Sequence, residues 1–182
     1  MLRIEGYVIV SADGMIADAN GVMPDALRND ADQKYFQAGL DRAAAVVHGR
    51  HSDEGGPRAA HRKRLILTRQ IADIASDASH PNSRLWNPLG ATLEQALAAL
   101  DVADGTIAVI GGTGVFSMFL PRYDAFHLSQ AAKVKIPGGR PVFAAVGPNA
   151  TPQDVLAAHG LTSGPRCDLD AAAGITVVTW QR

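Results

Sequence analysis

The glycine-rich stretch at residues 107–116 most constrains what this chain can fold into. An apolar run ends at Ile110, three glycines fall within the next four residues, and a second apolar run begins at Val115. The first run is rich in β-branched residues and too short to span a membrane, so it predicts a buried strand. Glycines allow positive φ and close approach of a ligand to bare backbone. With a helix starting at Val115, the stretch predicts either a phosphate-binding loop or a tight turn without a ligand.

Length and composition predict one domain and exclude several partners. The 182 residues suffice for one substantial core, so we expect a single domain over residues 1–182. A formal net charge of -1 gives no electrostatic case for nucleic acid or an acidic membrane surface as a partner. Cys167, the single cysteine, lies in a predicted loop and excludes an intramolecular disulfide, and the six histidines show no metal-ligand spacing. The histidine spacing therefore predicts no bound metal. Because Glu5 interrupts any signal-peptide pattern, we expect a cytoplasmic protein.

Hydrophobic periodicity and turn signals predict alternating strands and helices, with a strand-rich end. Strands are predicted at 3–11, 43–48, 65–68, 106–110, 126–129, 134–136, 141–146 and 175–180. Helices are predicted from Asn29 or Asp30 to about Leu40, after a capping box at Thr92, after the glycine loop as far as Pro121, and after Thr151. This order is typical of an α/β fold with a mostly parallel mixed sheet and antiparallel C-terminal strands.

Three polar segments follow predicted strands, where open parallel sheets collect their ligands. They are the Gly-Arg-His-Ser run at 49–52, the pair Thr68 and Arg69, and the glycine loop itself. Because arginine grips phosphate in a bidentate way and hydroxyls donate to it, these segments predict a site for a phosphate-rich cofactor. The alternative is that Arg50 and Arg69 are solvated surface charges. The loop is not a Rossmann fingerprint, since Ser117 replaces its third glycine and the ribose-binding acid is missing.

These segments carry a family resemblance that covers residues 9 to about 143. Gly-Arg-His-Ser at 49–52, Arg-Lys-Arg-Leu-Ile-Leu-Thr-Arg at 62–69 and Val-Ile-Gly-Gly-Thr-Gly-Val-Phe at 109–116 resemble the dihydrofolate reductase superfamily. Pro-Gly-Gly-Arg-Pro-Val-Phe at 137–143 is more similar to the reductase domain of bacterial riboflavin-synthesis deaminase-reductases. The resemblance implies a single-domain, dihydrofolate-reductase-like three-layer sandwich, an eight-stranded mixed sheet, and a cis bond between Gly111 and Gly112.

The resemblance also implies NADPH as the cofactor. Arg50, His51 and Ser52 would meet its phosphates, and Thr68 and Arg69 its adenosine 2′-phosphate, which favours NADPH over NADH. The cofactor contacts implied by motif position are Gly49, Arg50, His51, Ser52, Thr68, Arg69, Gly111, Gly112, Thr113, Gly114 and Val115.

Asp32, on the first predicted helix, is the candidate for the chemistry. A carboxylate partly buried beside a heterocycle can hydrogen-bond the ring and promote its protonation as hydride arrives. In the family, the matching acid precedes an aromatic pair, here Tyr35 and Phe36, and Ser129 stands where a hydroxyl supports that acid. Alternatively, Asp32 only stabilises the N-terminus of its helix, as any carboxylate in the third helical position would, or Asp30 is the acid.

The substrate is expected to be a pterin- or pyrimidine-like heterocycle, with Phe36, Arg62 and Ser129 on its side of the site. Arg62 stands where dihydrofolate reductases bind the glutamate carboxylate of folate, but Asp25 and Phe116 replace an aromatic residue and a tyrosine of those enzymes. We therefore expect an NADPH-dependent reductase most like the 5-amino-6-(5-phosphoribosylamino)uracil reductase domain of the riboflavin pathway. The zinc deaminase signature is absent.

Three alternatives stay open at the sequence level. They are a dihydrofolate reductase of folate metabolism, a nucleotide-binding module that lacks catalysis, and a structural domain without a cofactor. The resemblance also allows a homodimer, which is common among the riboflavin-type relatives.

Overall fold

The computed structural model describes residues 1–52, 55 and 58–182 and places most strands in one large sheet. The strands are β1 (Leu2–Ser11), β2 (Met15–Ala17), β3 (Ala45–Gly49), β4 (Arg64–Leu67), β5 (Ile74–Ser76), β6 (Ser83–Trp86), β7 (Gly105–Val109), β8 (Ala125–Ala131), β9 (Arg140–Pro141), β10 (Thr162–Asp170) and β11 (Ile175–Gln181). The helices are α1 (Asp30–Asp41), α2 (Leu93–Ala98), α3 (Thr113–Phe119) and α4 (Pro152–Ala158), with short 3-10 turns at Asp25–Leu27, Ala59–His61 and Leu120–Arg122.

The large sheet is mostly parallel and antiparallel at its edges. Its strand order is β10-β11-β8-β1-β7-β3-β4-β6-β5. The six strands from β8 to β6 in this order pair in parallel, whereas β10 and β11 add antiparallel strands at the C-terminal edge. The predicted mixed sheet is thus confirmed. The described sheet has nine strands where the resemblance implies eight, because the three-residue strand β5 extends the edge beyond β6.

Successive side chains of β7 point to opposite faces of the sheet, and each face carries its own layer of the core. Ile107 and Val109 point into a cluster with the buried residues of α2, α3 and α4, whereas Ala108 points to the opposite face, against α1. All three are fully buried. Because β7 lies between β1 and β3, it is covered on both faces, as expected of a central parallel strand. The result is the predicted three-layer sandwich.

The helices begin at the capping residues that the sequence indicates. Asn29 caps α1 by accepting hydrogen bonds from two backbone N–H groups, and Thr92 and Thr151 open capping boxes at α2 and α4. The third helix begins at Thr113 rather than at Val115, because Gly112 takes the N-cap position. No helix in the described part of the chain is both long and apolar enough to cross a membrane.

Two strands predicted in the second half are wrong, and the long strand β10 was missed there. Residues 134–136 form no strand, and of 141–146 only Pro141 pairs, as part of β9 against β2. Their apolar side chains are explained by burial of loop residues, since Val142 and Phe143 are fully buried. The missed strand β10 carries Cys167, which was expected in a loop; its side chains are largely exposed, so it lacks the apolar pattern that marks a strand.

Candidate active site

A cleft of about 1100 Å³ opens where the central parallel strands end. It collects the ends of β3 and β4 together with the loop after β7, the position at which open α/β sheets bind ligands. The predicted site residues in its lining are Asp32, Phe36, Gly49, Arg50, His51, Ser52, Thr68, Arg69, Gly112, Thr113, Gly114 and Val115. The predicted residues Gly111, Arg62 and Ser129 do not belong to the described lining.

The glycine loop is fixed on both sides and open in the middle. The carbonyl of Gly111 accepts a hydrogen bond of 2.7 Å from the N–H of Gly49, and the Thr113 hydroxyl donates to the Pro141 carbonyl. The bond from Gly111 to Gly112 is cis, as the resemblance implied. A Cβ built on Gly112 would lie 3.2 Å from Ser52 Oγ, whereas one built on Gly114 would meet nothing within 4 Å. A ligand can therefore approach bare backbone at Gly114.

The charge of the described lining suits an anion. Asp32 is the only carboxylate among the described lining residues, which include four arginines: Arg28, Arg50, Arg69 and Arg140. Arg50 and Arg69 follow β3 and β4, and the hydroxyls of Ser52 and Thr68 stand beside them in the sequence. Charged guanidinium groups and hydroxyl donors are the usual partners of phosphate.

Two of these arginines were missed by sequence reasoning. Arg28 ends the 3-10 turn before α1, with its Nε 3.2 Å from a carboxylate oxygen of Asp25. Arg140 lies in β9, and its guanidinium covers Gly21, because a Cβ built there would come within 2.8 Å of the Arg140 Cζ. The sequence predicts no strand or helix that would direct either side chain into the cleft. Only the Gly-Gly-Arg sequence at 138–140 offered a signal for Arg140.

Asp32 is held in the wall of the cleft by the start of α1. The Oδ1 of Asn29 accepts from the N–H groups of Ala31 and Asp32 at 2.9 and 3.1 Å, so the cap of the helix comes from Asn29. Asp32 is only 8% exposed. Burial raises the pKa of the Asp32 carboxyl, and a hydrogen bond with the Ser129 hydroxyl lowers it in part. The alternative acid, Asp30, is exposed and lies outside the described lining.

Ser129 lies behind Asp32 rather than in the cleft. It is on β8, 2% exposed, and lines a second, small cavity that Asp32 also lines. A hydroxyl that supports the acid was the role predicted for it, and this position is compatible with that role. Its predicted contact with the substrate would have to be made through Asp32.

Arg62 makes intramolecular bonds in this structure, and its predicted contact with the substrate stays a prediction. Its Nη2 donates to Gln37 Oε1 at 3.0 Å and to Asp41 Oδ1 at 2.5 Å, and its side chain is 10% exposed. The hydrogen bond from Arg62 is the main reason that the pKa of the Asp41 carboxyl is lowered. The guanidinium therefore ties the last turn of α1 to the segment before β4, away from the described lining of the cleft.

Comparisons with known proteins find similarity in structure only. No protein-family model matches the chain, and no curated protein matches it. A Shewanella sp. PV-4 protein described as a riboflavin biosynthesis protein has a TM-score of 0.66 and 18% identity, with 99% of this chain and 98% of that one covered. Dihydrofolate reductase from Enterococcus faecalis, solved with NADP(H) and RAB-propyl, has a TM-score of 0.66 and 16% identity, over 99% and 96% of the two chains.

A longer protein is also similar. The diaminohydroxyphosphoribosylaminopyrimidine deaminase/5-amino-6-(5-phosphoribosylamino)uracil reductase of Thermotoga maritima has a TM-score of 0.63 and 17% identity. The match covers 98% of this chain but 56% of that one, so this chain spans about half of its length. Together with the sheet order and the cleft at the strand ends, these likenesses show that the chain has the dihydrofolate-reductase-like fold.

Proposed function

We propose that this protein is an NADPH-dependent reductase that transfers hydride to a pterin- or pyrimidine-like heterocycle. The observation that carries the proposal is the order of groups along one cleft. Arg69 follows β4, Arg50 follows β3, the glycine loop follows β7, and Asp32 touches Ser129 of β8. Because β1 alone separates β7 from β8 in the sheet, phosphate donors, open backbone and a buried acid follow one another along the cleft.

The donor chemistry of the cleft fits NADPH. Thr68 and Arg69 would hold the 2′-phosphate, and Arg50, Ser52 and the open backbone at Gly114 would hold the pyrophosphate. The resemblance to a dihydrofolate reductase solved with NADP(H) supports the same assignment. When bound, NADPH supplies the hydride.

The protein's own contribution to the reaction is a proton. A carboxyl whose pKa is raised by burial retains its proton at a higher pH than an exposed one, so Asp32 can donate that proton to the substrate as hydride arrives. The Ser129 hydroxyl orients the carboxyl through its hydrogen bond. Phe36 lines the cleft beside Asp32 and supplies an apolar surface for the heterocycle.

A phosphorylated pyrimidine is the better candidate substrate. Arg62, the residue that would favour folate, is already bonded to Asp41 and Gln37. Arg28 and Arg140 line the described cleft, unlike Arg62, and Arg28 remains 64% exposed beside its ion pair with Asp25, so both can bind a phosphate of the substrate. The Thermotoga relative, whose name includes a reductase of 5-amino-6-(5-phosphoribosylamino)uracil, supports this choice. Dihydrofolate is the second candidate, supported by the Enterococcus neighbour.

Cofactor titration and turnover assays test the proposal. Wild-type protein should bind NADPH at least about tenfold more tightly than NADH, because a hydrogen bond to a charged group is worth about 1.5–3 kcal/mol. Arg69→Ala should remove that preference, whereas Arg166→Ala, on the exposed strand β10, should keep it. Equal and weak binding of both cofactors by the wild type would refute the assignment of the phosphate donors.

Turnover separates the reductase from a binding module. NADPH oxidation is followed with 5-amino-6-(5-phosphoribosylamino)uracil and, separately, with dihydrofolate. We expect reduction of the first, and Asp32→Asn should abolish it while NADPH affinity is retained. Tight NADPH binding without reduction of either compound would instead favour a nucleotide-binding module.

A further inference from the structure

We propose that His127, Glu5 and Tyr35 form a proton-delivery route that reaches Asp32 from behind the cleft. The inference rests on the reductase function proposed above, in which Asp32 gives up a proton in each turnover. It assigns a task to a polar cluster that takes no part in binding the cofactor or the heterocycle.

The cluster is centred on the imidazole of His127, in β8. Its Nδ1 lies 2.7 Å from the Tyr35 hydroxyl and 3.1 Å from the Thr179 hydroxyl, and its Nε2 lies 3.4 Å from Glu5 Oε2. The ring stacks on Tyr7, with centroids 4.3 Å apart and planes 9° apart. The Tyr7 hydroxyl donates to the same Glu5 oxygen at 2.6 Å. Both ring nitrogens therefore have oxygen partners, and the stacked ring is held in one orientation.

A cavity of about 10 Å³ joins this cluster to the acid of the cleft. Its lining includes both Asp32 and Ser129 of the acid and His127, Tyr35 and Tyr7 of the cluster. A cavity of this size is at the threshold for one water molecule, and a buried water needs two to four polar partners, which these side chains provide. One water molecule in this cavity would connect Tyr35 to the Asp32 carboxyl.

The route would bring a proton to Asp32 when the bound substrate separates this residue from bulk water. Asp32 is 8% exposed, and it lines the cleft, so a bound heterocycle and cofactor would cut it off from bulk water on that side. The His127 side chain is 13% exposed, which gives its imidazole contact with bulk solvent. An imidazole ring can both accept and donate a proton, as a relay must.

The proton transfer balances without any further reactant. Protonated His127 donates through Nε2–H to Glu5 and through Nδ1–H to the Tyr35 oxygen. As the Nδ1 proton moves to that oxygen, the hydroxyl proton of Tyr35 moves to the water, and a water proton moves to the Asp32 carboxylate. His127 is left neutral, Tyr35 and the water are unchanged, and Asp32 is again a carboxylic acid. His127 then takes its next proton from bulk solvent.

Charged and titratable groups around His127 come from four elements. The hydrogen bond with His127 is the main reason that the pKa of Glu5 is lowered to about 2, so Glu5 stays ionised at neutral pH. Burial raises the pKa of Tyr7 and of Tyr35, so both hydroxyls stay protonated. The groups that face the cluster are Arg3, Glu5 and Tyr7 from β1, Asp32, Tyr35 and Arg42 from α1 and its C-cap, Cys167 from β10 and Thr179 from β11.

The test compares His127→Gln with His61→Gln, an exposed histidine outside the described cleft, in the 182-residue chain with NADPH. Turnover of 5-amino-6-(5-phosphoribosylamino)uracil, or of dihydrofolate if only that is reduced, is followed against pH. His127→Gln should lower kcat by about tenfold or more with unchanged KM, in line with the loss of an acid–base group. Added imidazole should restore most of the lost kcat, and Tyr35→Phe should lower kcat without being rescued. His61→Gln should match the wild type.

Failure of the route is distinguishable from failure of the reductase function. Unchanged kcat in both His127→Gln and Tyr35→Phe, with normal turnover by the wild type, would overturn the route alone. If neither compound is reduced, the proposed function fails, and the route, which serves that function, fails with it.

Discussion

Replacing Gly114 with alanine is expected to stabilise the free protein and to weaken its binding of NADPH. Gly114 is the second residue of α3, its φ lies outside the left-handed range, and an added Cβ meets nothing within 4 Å. Alanine is favoured over glycine in helices by about 1 kcal/mol in the interior and less at the ends, so we expect a gain of about 0.5–1 kcal/mol in the free energy of unfolding. For a chain of this size the melting temperature should rise by about 1–4 °C.

In the complex, the same methyl group occupies the open face that the pyrophosphate is proposed to approach. Loss of one charge-assisted hydrogen bond from the backbone costs about 1.5–3 kcal/mol. The Kd for NADPH should therefore rise by about tenfold or more. The two effects have opposite signs, so a general loss of folding cannot imitate the expected result.

Thermal unfolding and calorimetric titration with NADPH measure both effects, with Gly147→Ala as the matched control. A Cβ on Gly147 also meets nothing within 4 Å, and its φ also lies outside the left-handed range, but this glycine is not in the described lining of the cleft. The control should leave the NADPH affinity unchanged. If Gly114→Ala binds NADPH as tightly as the wild type, the cofactor does not pass over this glycine and the reasoning is refuted.

Three further substitutions test other parts of the structure. Asp32→Asn should raise the free energy of unfolding at pH 7, because burial raises the pKa of this carboxyl and makes its ionised form unfavourable in the fold. Denaturant unfolding should show that the difference from the wild type shrinks as the pH falls through that raised pKa. A variant less stable than the wild type at pH 7 would contradict this. Gly6→Ala should destabilise the fold by about 1–3 kcal/mol, since its Cβ would lie 2.3 Å from the fully buried ring of Phe126; unchanged thermal unfolding would count against this tight packing. Arg62→Ala should slightly lower the melting temperature, because it breaks the ion pair with Asp41. If dihydrofolate is reduced, its KM should stay the same in this variant. A raised KM would support a contact between Arg62 and the substrate.

The fold could be predicted where apolar periodicity and capping residues agree. The central strands β1, β3, β4 and β7 carry apolar runs that are largely buried, and the helices α1, α2 and α4 begin at side chains that cap them. The edges could not be predicted in the same way. Strand β10 is exposed and polar along most of its length, and β5 and β6 lie in a polar stretch for which the sequence predicts no element. Conversely, the apolar residues near Phe143 are buried without pairing.

The candidate site could be predicted where it follows strands, and not where loops complete it. Arg50 and Arg69 lie in the described cleft because each follows a parallel strand, and such strand ends converge. Arg62, matched by position alone, was drawn to Asp41 instead, because a basic run contains several guanidinium groups and only tertiary packing decides where each one goes. Arg28 and Arg140 come from irregular segments, where no periodic pattern predicts the direction of a side chain.

Asp32 is the residue for which local and functional interpretations competed, and its surroundings favour the functional one. A carboxylate that merely stabilised the start of α1 would stay in water near the free N–H groups, where it costs nothing to keep ionised. Here Asn29 already supplies the cap, and Asp32 is buried beside Ser129 at a cost to its ionised form. The helix does not need an acid at this position. A buried acid that faces a cleft with phosphate donors is suited to donating a proton. The unfavourable burial of Asp32 is therefore an argument for the proposed reductase chemistry.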